Sequence, residues 1–180
     1  MGLNVIATER TTAATDLLLA LAALAGARYL LRGKGERWRE LVWSGVFLLM
    51  AVAALLGGAA HGIALHDPNS LWLWGPAYLA LGAMLALFAA GTVHDCWGEW
   101  TARRILPALL TAALLYSAAI LLLGGDFLLF VLFEALVMLF ALGSYTLAAV
   151  RRRSGSALTA AGILVTIGAA PWSRRAVRSG

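Results

Sequence analysis

The chain has 180 residues, 62% of them hydrophobic and 13% charged, with a mean hydropathy of +0.84. Soluble domains carry about 45–50% apolar and about 25% charged residues, so a water-soluble enzyme and a disordered protein are excluded. With a single cysteine, a disulfide scaffold and a multi-cysteine metal centre are excluded as well. A bilayer core about 30 Å thick is crossed by about 20 apolar residues, and six such spans would use about 120 residues. The chain reads as a compact polytopic membrane protein.

After an N-terminal extension (1–12), the first apolar run covers 13–31 and meets a charged loop, 32–40. The second covers 41–60 and is followed by a polar stretch, 61–70. The third covers 71–92, with Pro76 in its first turns, where a missing N–H is tolerated best. A connection over 94–104 leads to a fourth span, 105–123, with Pro107 in its first turn, and Gly124-Gly125-Asp126 reads as a tight turn. The fifth span, 127–150, ends at Arg151-Arg152-Arg153. A sixth, 156–170, is short and rich in Ala, Gly and Thr, and is expected to stop at Pro171, before a basic tail over 172–180. Open strands leave backbone groups unpaired in lipid, and barrel strands would alternate in segments of about 10 residues, which these runs do not. The expected fold is therefore an all-α transmembrane bundle of six spans, an incomplete version of a seven-helix bundle.

Basic residues orient the bundle. Arg32, Lys34, Arg37, Arg39, Arg103, Arg104 and Arg151 to Arg153 occupy the first, third and fifth loops. Lys and Arg are enriched on the cytoplasmic side, so these loops are expected in the cytoplasm of a cell with an inner membrane, and the N-terminus outside. Trp38, Trp43, Trp97 and Trp100 then fall at the inner interface and Trp72, Trp74 and Trp172 at the outer one, as aromatic belts require. The net charge of +5 is accounted for by orientation and anionic headgroups, so no nucleic-acid partner is expected. Arg174, Arg175 and Arg178 break the pattern. Either the sixth segment is re-entrant, or the tail is tolerated outside, or the native frame is lost there. The expectation is that Pro171 onward is not the ancestral C-terminus and that a seventh helix has been lost or frameshifted away.

Ionisable groups inside apolar runs cost about 2.5–3.5 kcal/mol each at mid-membrane. Asp16 follows Thr11, Thr12 and Thr15 one turn into the first span; it is either a carboxylate favoured by the helix N-terminus and capped by Thr12 or Thr15, or part of a site. Glu134 lies about 12 Å below the outer end of the fifth span at about 1.5 Å per residue. His61 closes the second span, where Gly58 and Gly62 form a GxxxG that lets another helix approach closely. Asp16, His61 and Glu134 are expected to share an interior cavity, since such groups are cheapest facing one another or water. His61 is the candidate metal ligand. His61 and His66 would point about 140° apart on a continuous helix, so they do not form a metal-binding pair. His94 and Asp95, beside Cys96, Glu99 and Arg103, read as an interfacial charge network. No phosphate loop, nucleophile elbow or HExxH occurs.

The stretches Thr12-Ala13-Ala14-Thr15-Asp16-Leu17-Leu18-Leu19 and Leu56-Gly57-Gly58-Ala59-Ala60-His61-Gly62 resemble an uncharacterised family of small multi-pass bacterial membrane proteins. More distantly, the pattern over 11–66 resembles the alkaline ceramidase and adiponectin-receptor superfamily of seven-helix, zinc-dependent lipid amidases. The resemblance implies zinc held by a second-helix histidine, here His61, together with two histidines of a seventh-helix HxxxH. The superfamily's serine position is Gly57 here, its third-helix aspartate has no counterpart over 71–80, and the HxxxH is absent. The resulting expectation is an integral membrane protein with a binding or structural role. The alternatives are a zinc-dependent lipid-amide hydrolase, with Asp16 or Glu134 assisting His61, and a small proton-coupled transporter using Glu134. Expected partners are the bilayer, a lipid or small apolar ligand, and a second copy of the chain.

Overall fold

The computed structural model describes residues 2–3, 7–64, 71–123 and 127–176. Its elements are six helices: α1 (Ala7–Leu31), α2 (Arg37–Gly62), α3 (Leu71–Trp97), α4 (Glu99–Leu122), α5 (Phe127–Val150) and α6 (Ser156–Ala176). A two-residue antiparallel pairing of Gly2–Leu3 with Ile63–Ala64 is the one β feature among the described residues. The protein is all-α, and five of its helices are long and apolar enough to cross a membrane. In α6 the apolar stretch is shorter, Ser156–Ile167.

Several boundaries differ from expectation: α2 begins at Arg37 rather than 41 and α3 runs on to Trp97 rather than 92, and three others move residues of interest. Helix α1 begins at Ala7 rather than near residue 13. Thr12 and Thr15 do not cap it but return their hydroxyls to the carbonyls of Thr8 and Thr12, at 3.0 and 2.8 Å. That back-bonding satisfies the hydroxyls inside a helix and lets it start earlier, so Asp16 lies well inside α1. Helix α4 begins at Glu99, which puts Pro107 in its interior rather than its first turn. Helix α6 continues through Pro171 to Ala176. Prolines are tolerated within membrane helices when neighbours re-satisfy the freed carbonyl.

The chain divides into two compact units, Met1–Val131 and Leu132–Gly180. In the first, α1 packs on α2, α2 on α3 and α3 on α4. Helix α3 is the most deeply placed span, with 67% of its apolar window buried against 17% for α1 and for α4. Membrane helices gain no hydrophobic drive from leaving lipid, so they associate through small residues that bring backbones together. The α1–α2 contact is built this way, from Ala20, Ala23, Ala51 and Ala54, with Phe47 and Met50 against them. Between α3 and α4, the buried Ser117 hydroxyl bonds Ala113 O at 2.9 Å and lies 3.4 Å from Tyr78 O. Trp43, expected at the inner interface, turns toward α3, where a Cβ on Gly91 would come within 2.9 Å of its ring. Large side chains such as Leu18 (67% exposed) and Leu21 (58%) line the outside of α1, the surface a lipid solvent accepts.

In the second unit, Val137, Ala141, Tyr145 and Ala148 are buried on α5 at steps of three or four residues, and Ala160 and Ile163 are buried on α6. Arg152 and Gly155, at φ 55° and 79°, turn the chain between the two helices.

Candidate functional site

Two polar clusters form at opposite ends of α2, about 39 Å apart for its length at about 1.5 Å per residue. At the C-terminal end, His61 Nδ1 lies 2.6 Å from Glu9 Oε2. The edge of its ring meets Trp74 of α3, with centroids 5.6 Å apart. Glu9 is available because α1 begins at Ala7, and it was missing from the expected cluster for that reason. Asp16 lies on the same helix pair, with its carboxylate against Gly57 of α2, four residues before His61. A Cβ on Gly57 would meet Asp16 Oδ2 at 3.1 Å, and one on Gly58 would meet Ala13 O and Asp16 Cβ at 3.4 Å. The glycines thus let α1 approach α2 where Asp16 stands. Gly62 sits against the Ala13 methyl, so the GxxxG of Gly58 and Gly62 packs on α1. Of the expected trio, Asp16 and His61 are brought together, and Glu134 stands half-buried on α5 in the second unit. His66, Asp67 and Asp126 lie outside the described residues.

The other cluster sits where the N-terminus of α2 meets the α3–α4 junction. Helices α3 and α4 are joined by Gly98 alone, at φ 95° and ψ 168°, with no atom near its absent Cβ. This backbone region is nearly exclusive to glycine, so the tight reversal is a requirement of conformation and not of space. It places His94, in the last turn of α3, beside Glu99, which opens α4. Glu36, just ahead of α2, completes the group: one ligand-type atom each from Glu36, His94 and Glu99 lie within 4.8 Å of one another. His94 is 7% exposed. Its Nε2 lies 2.9 Å from Glu36 Oε1 and its Nδ1 3.3 Å from Asp95 Oδ1. Trp38 stacks on the imidazole at 5.1 Å and 28°.

A ring of guanidinium contacts holds these groups. Arg39 reaches both Asp95 oxygens, Nε to Oδ1 at 2.7 Å and Nη2 to Oδ2 at 3.4 Å, the two-pronged geometry that fixes a carboxylate. Arg103 contacts Glu99 at 2.6 Å and also lies over the Trp38 ring. Both Glu36 and Glu99 sit at helix N-termini, where the backbone dipole favours negative charge. The hydrogen bond from His94 is the main reason the Glu36 carboxyl sits below the usual carboxylate range, with the charges of His94 and Arg39 and the facing Glu99 carboxyl helping.

Beside this cluster, the ends of α1 and α2 enclose an open cleft of about 500 Å³. Its lining includes the apolar Ala25 and Leu30 and the basic Arg28, Arg32 and Arg39. Glu36 and Arg39 face both the cleft and the His94 cluster. The cleft's acids are engaged: Glu40 accepts from Gly35 N at 2.7 Å and Glu36 contacts His94. Arg39 is held by Asp95. Among the described residues, the Arg28 and Arg32 guanidiniums make no ion pair.

Reading 94–104 as one connection found His94, Asp95, Glu99 and Arg103 as a charge network but missed Glu36 and Arg39, which join it from the N-terminal end of α2. The signal for the tight reversal is Gly98 between Trp97 and Trp100, a lone glycine between two apolar runs. No curated protein and no solved structure matches the chain. A family model matches residues 11–174, from α1 into α6, and the chain belongs to that family, described as a family of unknown function (DUF6962).

Proposed function

We propose that this is a membrane-embedded binding protein whose ligand is an anionic amphiphile, a phospholipid with its phosphate between Arg28 and Arg32. The observation that carries the reading is the cleft: two guanidiniums without an ion pair among the described residues line it while its carboxylates are engaged, and Ala25 and Leu30 offer apolar surface for the glycerol and first acyl carbons. Basic pockets between membrane helices on the cytoplasmic side are suited to anionic headgroups. Binding ranks ahead of lipid-amide hydrolysis because the chain has three histidines and no HxxxH, and His94, the other histidine among the described residues, stands at the far end of α2 from His61. Glu134-based proton coupling remains a separate proposal, tested by pH-dependent flux in proteoliposomes.

Native mass spectrometry of the detergent-purified chain should retain phosphatidylglycerol in preference to phosphatidylcholine. R28Q/R32Q should reduce that retention about 30-fold, on the scale of about 1 kcal/mol per basic residue near a membrane surface. Competition by inorganic phosphate alone would identify a free anion as the ligand, and equal retention of both lipids would overturn the reading.

The reading also places the cleft on the cytoplasmic side of the inner membrane, by the distribution of basic residues. In a C96A background, single cysteines at Lys34 and Ser154 should resist an impermeant thiol reagent in intact cells, and one at Ser70 should react. Reaction of all three from outside would rule the orientation out.

A further inference from the structure

We propose that Glu36, His94 and Glu99 form a binding site for a divalent transition-metal cation of zinc's borderline softness. One imidazole and two carboxylates are a donor set that suits such an ion and leaves a position open for water.

Three features of the geometry support it. The donor atoms come from three different helix ends, and all lie within 4.8 Å of one another. Bonds of about 2.0–2.2 Å to a central ion require only a modest inward turn, which the exposed Glu36 and half-exposed Glu99 side chains are free to make. Next, the imidazole is already oriented as a ligand. Asp95 Oδ1 faces Nδ1 at 3.3 Å, Arg39 holds Asp95 by two contacts, and Trp38 stacks on the ring. A metal-bound histidine usually donates its other ring N–H to such a carboxylate, which fixes the tautomer and leaves the far nitrogen for the ion. Here the far nitrogen is Nε2, and it points at Glu36. Finally, the Glu36 and Glu99 carboxyls converge on the same side of the imidazole, within 4.8 Å of each other and of the ring nitrogen, so one ion can reach all three. Arg103, now 2.6 Å from Glu99, must swing aside or share that carboxylate, which sets the affinity below that of a closed structural zinc site. The site shares Glu36 with the wall of the cleft, but His94 and Glu99 lie outside the cleft's lining, so R28Q/R32Q should leave zinc binding in place while H94Q weakens it.

The test is metal stoichiometry on the full chain in detergent, dialysed against zinc and counted by elemental analysis, with size-exclusion profiles to confirm folding. Wild type and H61Q should each bind one zinc, and H94Q and E36Q should bind at least 10-fold more weakly. Glu36 is exposed, so E36Q keeps the test decisive if H94Q does not fold. Cobalt in place of zinc should show ligand-field bands without a sulfur charge-transfer band, which separates the site from the nearby Cys96. No bound metal, or a zinc lost in H61Q and kept in E36Q, would overturn the proposal.

Discussion

Replacing Gly98 with alanine is expected to lower the stability of the first unit by about 1–3 kcal/mol, the cost of holding a residue with a Cβ in a glycine-only backbone region. No atom lies near the position a Cβ would occupy, so the effect of alanine is conformational and G98A should behave much like G98S, whereas G98V, branched at Cβ, should cost more at this positive φ. Asparagine, which tolerates positive φ better than alanine, should recover part of the loss, an outcome that overpacking would not give. Relief of the strain would open the α3–α4 reversal and move Glu99 away from His94, so the variant should also lose metal affinity. Thermal unfolding in detergent, read alongside zinc binding, checks both. A G98A protein as stable as wild type would mean that α3 and α4 are not joined by this one-residue turn.

A graded series at Gly58 should give the second large effect. A Cβ there would touch Ala13 O and Asp16 Cβ at 3.4 Å, ordinary van der Waals contact. G58A should therefore fall within about 1 kcal/mol of wild type, whereas G58L forces extra carbons into a filled contact, at about 1–3 kcal/mol. The α1 backbone would have to retreat from α2, and with it Glu9 from His61. Because the His94 cluster is at the other end of α2, zinc binding in G58L should survive while unfolding shifts downward. Loss of both together would mean that the two ends are not separable.

The membrane class and the helical state were legible because they rest on sums. A chain with this apolar excess cannot coat itself with polar groups, and lipid leaves the backbone no partner but itself. The fifth helix, 127–150, matched its span residue for residue, since a charged run and a glycine pair bound it. Ends set by polar residues were misplaced. Glu9, Arg10 and Thr12 look like an extension in a hydropathy scan, yet they are helical because threonine hydroxyls can return to the preceding turn. The eleven positions 94–104 look like a loop for their charges, yet all but Gly98 are helix. Both errors moved polar side chains out of the helices that aim them. In consequence Glu9 was absent from the His61 cluster, and the His94 cluster was read only as a charge network. Its charge contacts were visible as neighbours in sequence for Asp95, Glu99 and Arg103. The contribution of Glu36 and Arg39, nearly sixty residues earlier, depends on α2 packing against α3, which no local pattern encodes.

Reconstitution in nanodiscs containing phosphatidylglycerol, followed by structure determination, tests the binding role most directly. The expected result is headgroup density between α1 and α2 with its phosphate in hydrogen-bonding range of the Arg28 and Arg32 guanidiniums and its glycerol against Ala25 and Leu30. A cleft filled only by water, with both arginines turned to solvent and lipid density elsewhere on the bundle, would contradict it.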